Sequence, residues 1–188
     1  MKAITLLLIT LAFFSVSCFS QDESLRLRWD MEDQWRIYQT TETPDQVSWD
    51  LIKSTESPHA WTEQISVTQF HVPIRTNIEQ IIKRIMLDYD AISEGGKWAL
   101  IDKRTKKGAY KWALFMYRTK NFQQLGEPRT IMIHIAQGPK HTYIASRTIR
   151  TEKLTIAERR KWEAFFKAGE VVLQSPQTTW QQAGLLSP

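Results

Sequence analysis

Between residues 97 and 150 four apolar-rich runs come in two pairs, and each pair is joined by a short polar turn. "KWALID" (97–102) and "AYKWALFMYR" (109–118) flank "KRTKKG", and "RTIMIHIA" (129–136) and "HTYIASRTIR" (141–150) flank "QGPK". Each run has strand length and is rich in β-branched and aromatic residues. Connections this short cannot hold a crossover helix, so neighbouring runs must pair antiparallel. Two consecutive hairpins are therefore the feature that any fold of this chain has to contain.

The flanking segments extend the same pattern. "LRLRW" (25–29), "WRIYQTT" (35–41) and "QVSWDLIK" (46–53) alternate like strands, with "TPD" (43–45) as a turn and "STESPH" (54–59) as a loop. In "HAWTEQISVTQF" (59–70), Trp61, Ile65 and Val67 share one face of a period-two pattern, which makes Trp61 an expected core anchor. Pro73 ends that strand. Thr76-Asn77-Ile78-Glu79 has capping-box form and opens a helix carrying Ile78, Ile81, Ile82, Ile85, Met86 and Tyr89 on one side. "EGG" (94–96) breaks it. A second box, Thr155-Ile156-Ala157-Glu158, opens a helix with Trp162, Phe165 and Phe166 on its apolar side, and Gly169 stops it. Strands, helix, four strands, helix: the expected fold class is α+β, an antiparallel sheet with two main helices packed on it.

The first twenty residues read as a secretory signal peptide: Lys2, an apolar core from Ala3 to Phe14, then the small residues Ser15, Val16 and Ser17. Cleavage is expected after Ser17 or after Ser20. The first would place Cys18 at the new terminus, as in a lipoprotein, although Ser15 stands where such signals carry Leu. The second leaves no cysteine, and with it no thiol nucleophile or Cys-based zinc site. The expected organisation is a leader at 1–20, one domain at 21–173 and a polar tail at 174–188. No other segment reaches the ~18 apolar residues a spanning helix needs, so no transmembrane segment is expected in the mature chain. The expected location is periplasmic or secreted, with anchoring at Cys18 as the alternative.

Charge is uneven. Residues 21–63 hold four basic and ten acidic residues, and residues 64–188 hold twenty basic and ten acidic. Such asymmetry fits an anionic partner, a dipolar molecule or halves that face each other.

"WTEQISVTQF", the capped helix after it, "KWALIDKRTKKGAYKWALFMYR", "IAQGPKHTYIASRTIR" and a closing helix with "KWEAFF" resemble a group of small exported proteins of Gram-negative bacteria. Those proteins share a Trp-Thr-Glu strand and a later Gln-Gly turn leading into a Tyr-containing strand. The resemblance covers residues 34–172. It implies a PsbP-like α+β sandwich of the kind used by non-enzymatic binding and accessory modules, and it carries no catalytic motif.

Candidate chemistry is sparse. Glu63 falls on the face of Trp61 and Ile65, where a carboxylate could serve as a general acid; the alternative is a strand-start residue paired with an arginine or with solvent. If Ala136 opposes His141 across the second hairpin, His134 opposes Tyr143, and His134 and His141 become diagonal neighbours that could contribute to a metal site. No third ligand accompanies them, and His59 and His71 fit no ligand spacing, so no metal and no cofactor are expected. There is no G-x-S-x-G elbow, no phosphate loop around "EGGK" and no H-E-x-x-H pattern.

The strongest signal is basic. Residues 97–120 hold eight cations against Asp102 alone. Lys103, Arg104, Lys106, Lys107 and Lys111, with the interleaved aromatics Trp98, Tyr110 and Trp112, form the expected ligand-binding set. Cations attract phosphate, sulfate or carboxylate, and aromatic faces stack on sugars or sit at a lipid interface. The sequence therefore points to an exported non-enzymatic binding protein, a secreted virulence or envelope factor recognising anionic lipid head groups or acidic glycans, with no nucleic-acid partner. A hydrolase with an unfamiliar site, or an envelope accessory that docks a protein through its acidic N-terminal part, are the alternatives.

Overall fold

The computed structural model describes residues 22–28, 34–71, 77–104, 110–122 and 126–174. The expected leader, Thr76, the hairpin tip with Lys106 and Lys107, and the chain beyond Gln174 lie outside these residues.

The fold is mostly β, which corrects the expected PsbP-like α+β sandwich. The described residues form ten strands and two helices, in the order β1 (Asp22–Arg26), β2 (Trp35–Glu42), β3 (Gln46–Lys53), β4 (Glu63–Phe70), α1 (Ile78–Ala91), β5 (Ser93–Glu94), β6 (Lys97–Arg104), β7 (Lys111–Phe122), β8 (Glu127–Gln137), β9 (Thr142–Ile149), α2 (Ile156–Lys167) and β10 (Glu170–Gln174). Eight strands make one antiparallel sheet in the order β2-β3-β4-β9-β8-β7-β5, with β6 also paired to β7. The remaining two, β1 and β10, pair in a separate antiparallel ribbon.

The physical reason is that the large sheet is covered on both faces. Along β7, Trp112 and Leu114 turn to a cluster with Trp162, Phe165 and Phe166 of α2. Ala113, Phe115 and Tyr117 turn to a second cluster with Ile78 and Ile81 of α1. One helix thus lies on each face, and the ribbon adds Leu25 to the α2 side. A strand covered on both sides buries both sets of its side chains, so "ALFMY" and "TIMIHIA" are predominantly apolar runs and not alternating ones, with Thr130 and His134 as buried polar members. Two helices of 14 and 12 residues cannot cover eight strands as a layer of their own.

Of the local expectations, one cap shifts and the other holds. The α1 cap is Asn77, one residue later than expected: its side chain accepts from Gln80 N at 2.9 Å, and Asn serves this position as well as Thr. The α2 box at Thr155 and Glu158 forms in both directions. The stretch after Gly169 is strand β10.

The turn between β8 and β9 also differs from the expected register. Ala136 pairs with Tyr143 and Gln137 with Thr142, so the turn spans residues 138–141 and closes through Gly138 N to His141 O at 2.9 Å. The buried Glu23 of β1 selects it, accepting from Lys140 N at 2.9 Å and His141 N at 3.0 Å. A Cβ at Gly138 would collide with this carboxylate, which explains the glycine after Gln137. Gly138→Ala should therefore cost about 1–3 kcal/mol, the range for leaving buried hydrogen-bonding groups unpaired. Urea unfolding checks this, and a Glu23→Ala/Gly138→Ala double variant should cost less than the sum of the two singles. Additive costs would mean that Gly138 matters for another reason.

Candidate functional site

The open end of the described β6–β7 pair lies beside the end of α2 and the start of β10. Between them lies an open cleft of about 770 Å³. Trp112, Tyr110, Arg104, Lys103 and Asp102 line it from the hairpin, and Lys167 and Glu170 from the α2–β10 junction. Register explains the grouping. Arg104 pairs with Trp112 and Asp102 with Leu114, and paired residues share a face, here the α2 face. Lys103 borders the cleft, but it pairs with Ala113, so its side chain belongs to the α1 face and not to the face of Arg104 and Trp112.

The two walls are tied together. Tyr110 donates its hydroxyl proton to Gly169 O at 2.5 Å, and Lys167 Nζ lies 3.1 Å from Asp102 Oδ2. The Lys167 contact is the main cause that holds the Asp102 carboxyl below the usual carboxylate range, and a bond from Lys103 N adds to it. Burial, then the nearby Glu170 carboxylate, pushes the Tyr110 phenol up. Both groups are thus poor proton carriers near neutral pH: one is held ionised in an ion pair, the other protonated in a bond to a carbonyl. Lys103 and Arg104 form no ion pair among the described residues. Trp112 is half-buried, with its ring 5.7 Å from that of His134.

Of the expected binding set, the cleft thus collects Lys103, Arg104, Tyr110 and Trp112. Trp98 does not belong to it. It packs on the α1 side, 4.5 Å from the Tyr117 ring and 5.8 Å from the Tyr89 ring, and donates to Asp90 at 3.0 Å. Lys111 is exposed and shares its face with Ala113 and Phe115, away from the cleft. Lys167 and Glu170 were missed. No local signal marks them, because a lysine in the last turn of a helix already has a sufficient role beside the final carbonyls.

The other candidates resolve into framework. Glu63 is buried between Arg147, whose Nε it binds, and Lys53, whose Nζ lies 3.4 Å away. Arg147 in turn lies over the rings of Trp35, Trp162 and Phe165 at 5.1–5.7 Å. Both carboxylate oxygens are occupied, so Glu63 fulfils the arginine-paired alternative. His134 pairs with Ala145, not Tyr143. It is buried under Phe166, with ring centroids 5.7 Å apart and planes at 25°. His141 sits in the turn, its Nδ1 3.1 Å from Phe70 O. The pair does not converge, and among the described residues no group of three His, Cys, Asp or Glu side chains could hold a metal. Trp61 is buried as expected, but its ring contacts are guanidiniums: Arg129 at 4.7 Å and Arg150 at 4.5 Å. It lies ahead of β4, outside the cluster that holds Ile65 and Val67.

No helix among the described residues is long and apolar enough to cross a membrane. No family model and no curated protein matches the chain. Among solved structures it is similar to a point mutant of protein Mog1, at 16% identity over 66% of this chain and 70% of that one, with a TM-score of 0.36. It is also similar to the Saccharomyces cerevisiae Ran-binding protein Mog1p, at 14% identity over 77% of this chain and 84% of that one, with a TM-score of 0.35.

Proposed function

We propose that this chain is an exported, non-enzymatic binding protein whose cleft holds an acidic saccharide. The observation that carries the reading is Arg104, free of a carboxylate partner among the described residues, beside the half-buried Trp112 and the fixed Tyr110 ring in one recess, with Lys103 at its border. An aromatic face stacks on a sugar ring, and a guanidinium binds the carboxylate or sulfate that an acidic sugar carries. A recess of about 770 Å³ suits a short saccharide better than the flat surface of a bilayer. Export rests on the charged start and apolar run of the first twenty residues. Binding is favoured over hydrolysis because Asp102 and Tyr110 are committed to Lys167 and Gly169, which leaves Glu170 as a single carboxylate without a second acid or base beside it in the cleft.

Isothermal titration with a sulfated uronate disaccharide tests this, beside a neutral disaccharide of the same size. Saturable binding of the acidic sugar alone is expected at 0.1 M salt. It should weaken as the screening length falls from ~10 Å at 0.1 M to ~3 Å at 1 M. Lys103→Ser/Arg104→Ser should weaken it about tenfold or more, the loss of one charge-assisted hydrogen bond being worth about 1.5–3 kcal/mol. Equal binding by wild type and variant, or none by either, overturns the reading.

A further inference from the structure

The far end of the sheet holds a second charged group, independent of the cleft. Thr119, opposite Arg129, lies seven residues beyond Trp112 on β7, roughly 24 Å away along an extended strand. Here Arg129 enters from the start of β8 and Arg150 from the end of β9, and both guanidiniums lie over the Trp61 ring. Arg129 is also 5.8 Å from the Phe122 ring and only 2% exposed.

Charge at this point is unbalanced. Among the described residues, the carboxylate against both guanidiniums is Glu127, and one oxygen serves the two: its Oε2 is 3.3 Å from Arg129 Nη2 and 3.5 Å from Arg150 Nε. The Nε atoms of Arg129 and Arg150 are both buried and make no hydrogen bond among the described residues. Burial, and then the neighbouring Arg150, push the Arg129 guanidinium down from its ordinary range. A buried cation with spare donors is costly, and a framework role would match each guanidinium with its own acceptors. Glu127 is the loose member, with its side chain 42% exposed.

We propose that Arg129 and Arg150, fixed over Trp61, form a seat for a small oxyanion, a carboxylate or a phosphate, and that Glu127 holds this seat with one carboxylate oxygen. The site reads an oxyanion because guanidinium forks match its geometry and the indole holds their planes in place. The Glu127 oxygen marks where a ligand oxygen would lie. An incoming oxyanion displaces a part-exposed side chain and supplies further oxygens to Arg129 Nε, which Glu127 does not reach, and to Arg150 Nε, which Glu127 meets only at 3.5 Å.

The test is NMR titration of the Trp61 indole and the arginine Nε–H signals in the full chain, using inorganic phosphate and acetate separately. Saturable shifts are expected at Trp61 and at both arginines. Glu127→Gln should bind at least tenfold more tightly than wild type, because the internal competitor is neutralised. Glu127→Asp, which keeps the charge but shortens the reach, should fall between them and serves if Glu127→Gln fails to fold. Arg150→Gln should abolish the saturable response. Tighter binding of either probe supports the seat and assigns its ligand as phosphate or carboxylate. Binding that survives Arg150→Gln means an adventitious ion only and overturns the proposal, as does Glu127→Gln binding no more tightly than wild type.

Discussion

Glu63→Ala should destabilise the protein by about 3–5 kcal/mol, the range for breaking a buried ion pair by removing one partner. The side chains of Glu63 and Arg147 are 8% and 5% exposed, and the substitution takes the Glu63 counter-charge from a guanidinium packed among Trp35, Trp162 and Phe165. Lys53 lies partly in water and is relieved more cheaply. Replacing both partners by apolar residues is different: Glu63→Leu/Arg147→Met leaves no buried charge, and should cost clearly less than Glu63→Ala alone. Urea unfolding of the singles and the double provides the comparison. A Glu63→Ala cost below about 1 kcal/mol would show the pair to be as weak as one in solvent.

The same residue shows how far the sequence was legible. Period-two alternation placed Glu63 on the face of Ile65, and that placement holds: both side chains lie on the α2 side. Its partner could not be read. Arg147 is 84 positions away, opposite Ile65 on β9, two rungs along from Glu63. Strand order is a tertiary property, and β4 pairs with β9 only after α1 and two hairpins have intervened. Both hairpins were legible, because a short turn leaves the chain one way to return. The register of the second was not, because it depends on Glu23, whose carboxylate enters the turn from 117 residues away.

The fold class failed for a related reason. Helical stripes and caps are strong local signals, whereas β10 is five residues after a helix stop, and its strand state depends on pairing with β1. Counting only what declares itself locally over-weights helices. In the basic hairpin, proximity in sequence is not proximity in space. Trp98 and Trp112 are fourteen positions apart on paired strands, yet they point to opposite faces, because Trp98 pairs with Tyr117, which lies on the α1 side. Four of the nine residues that line the cleft come from 167–171, which has no sequence link to the hairpin.

His134 carries the second large effect. Acidification from pH 6.5 to 4 should remove about 3 kcal/mol of stability through this one side chain. The ring is buried between Phe166 and Trp112, each 5.7 Å away, and its Nδ1 makes no hydrogen bond among the described residues. Burial alone pushes the imidazole from 6.5 down to about 4. The unfolded chain therefore takes up this proton as pH falls below ~6.5, while the folded protein does so only near 4. Between those values the unfolded state binds more protons, so stability falls as pH falls, at ~1.4 kcal/mol per pH unit at most. Above ~6.5 the residue is neutral in both states and adds no slope. His134→Phe keeps an aromatic ring against Phe166 and has nothing to protonate. The difference in unfolding free energy between wild type and His134→Phe should therefore be flat from pH 8 to 7 and should change by about 3 kcal/mol between pH 6.5 and 4. Carboxylates that lose their charge in acid affect both proteins and cancel in the difference. Because Trp112 touches His134 and also lines the cleft, acidification to pH 4 should also alter Trp112 fluorescence in the wild type and not in His134→Phe. Parallel stability profiles for the two proteins, or an imidazole signal titrating near 6.5 in the folded wild type, would show that His134 is in contact with water.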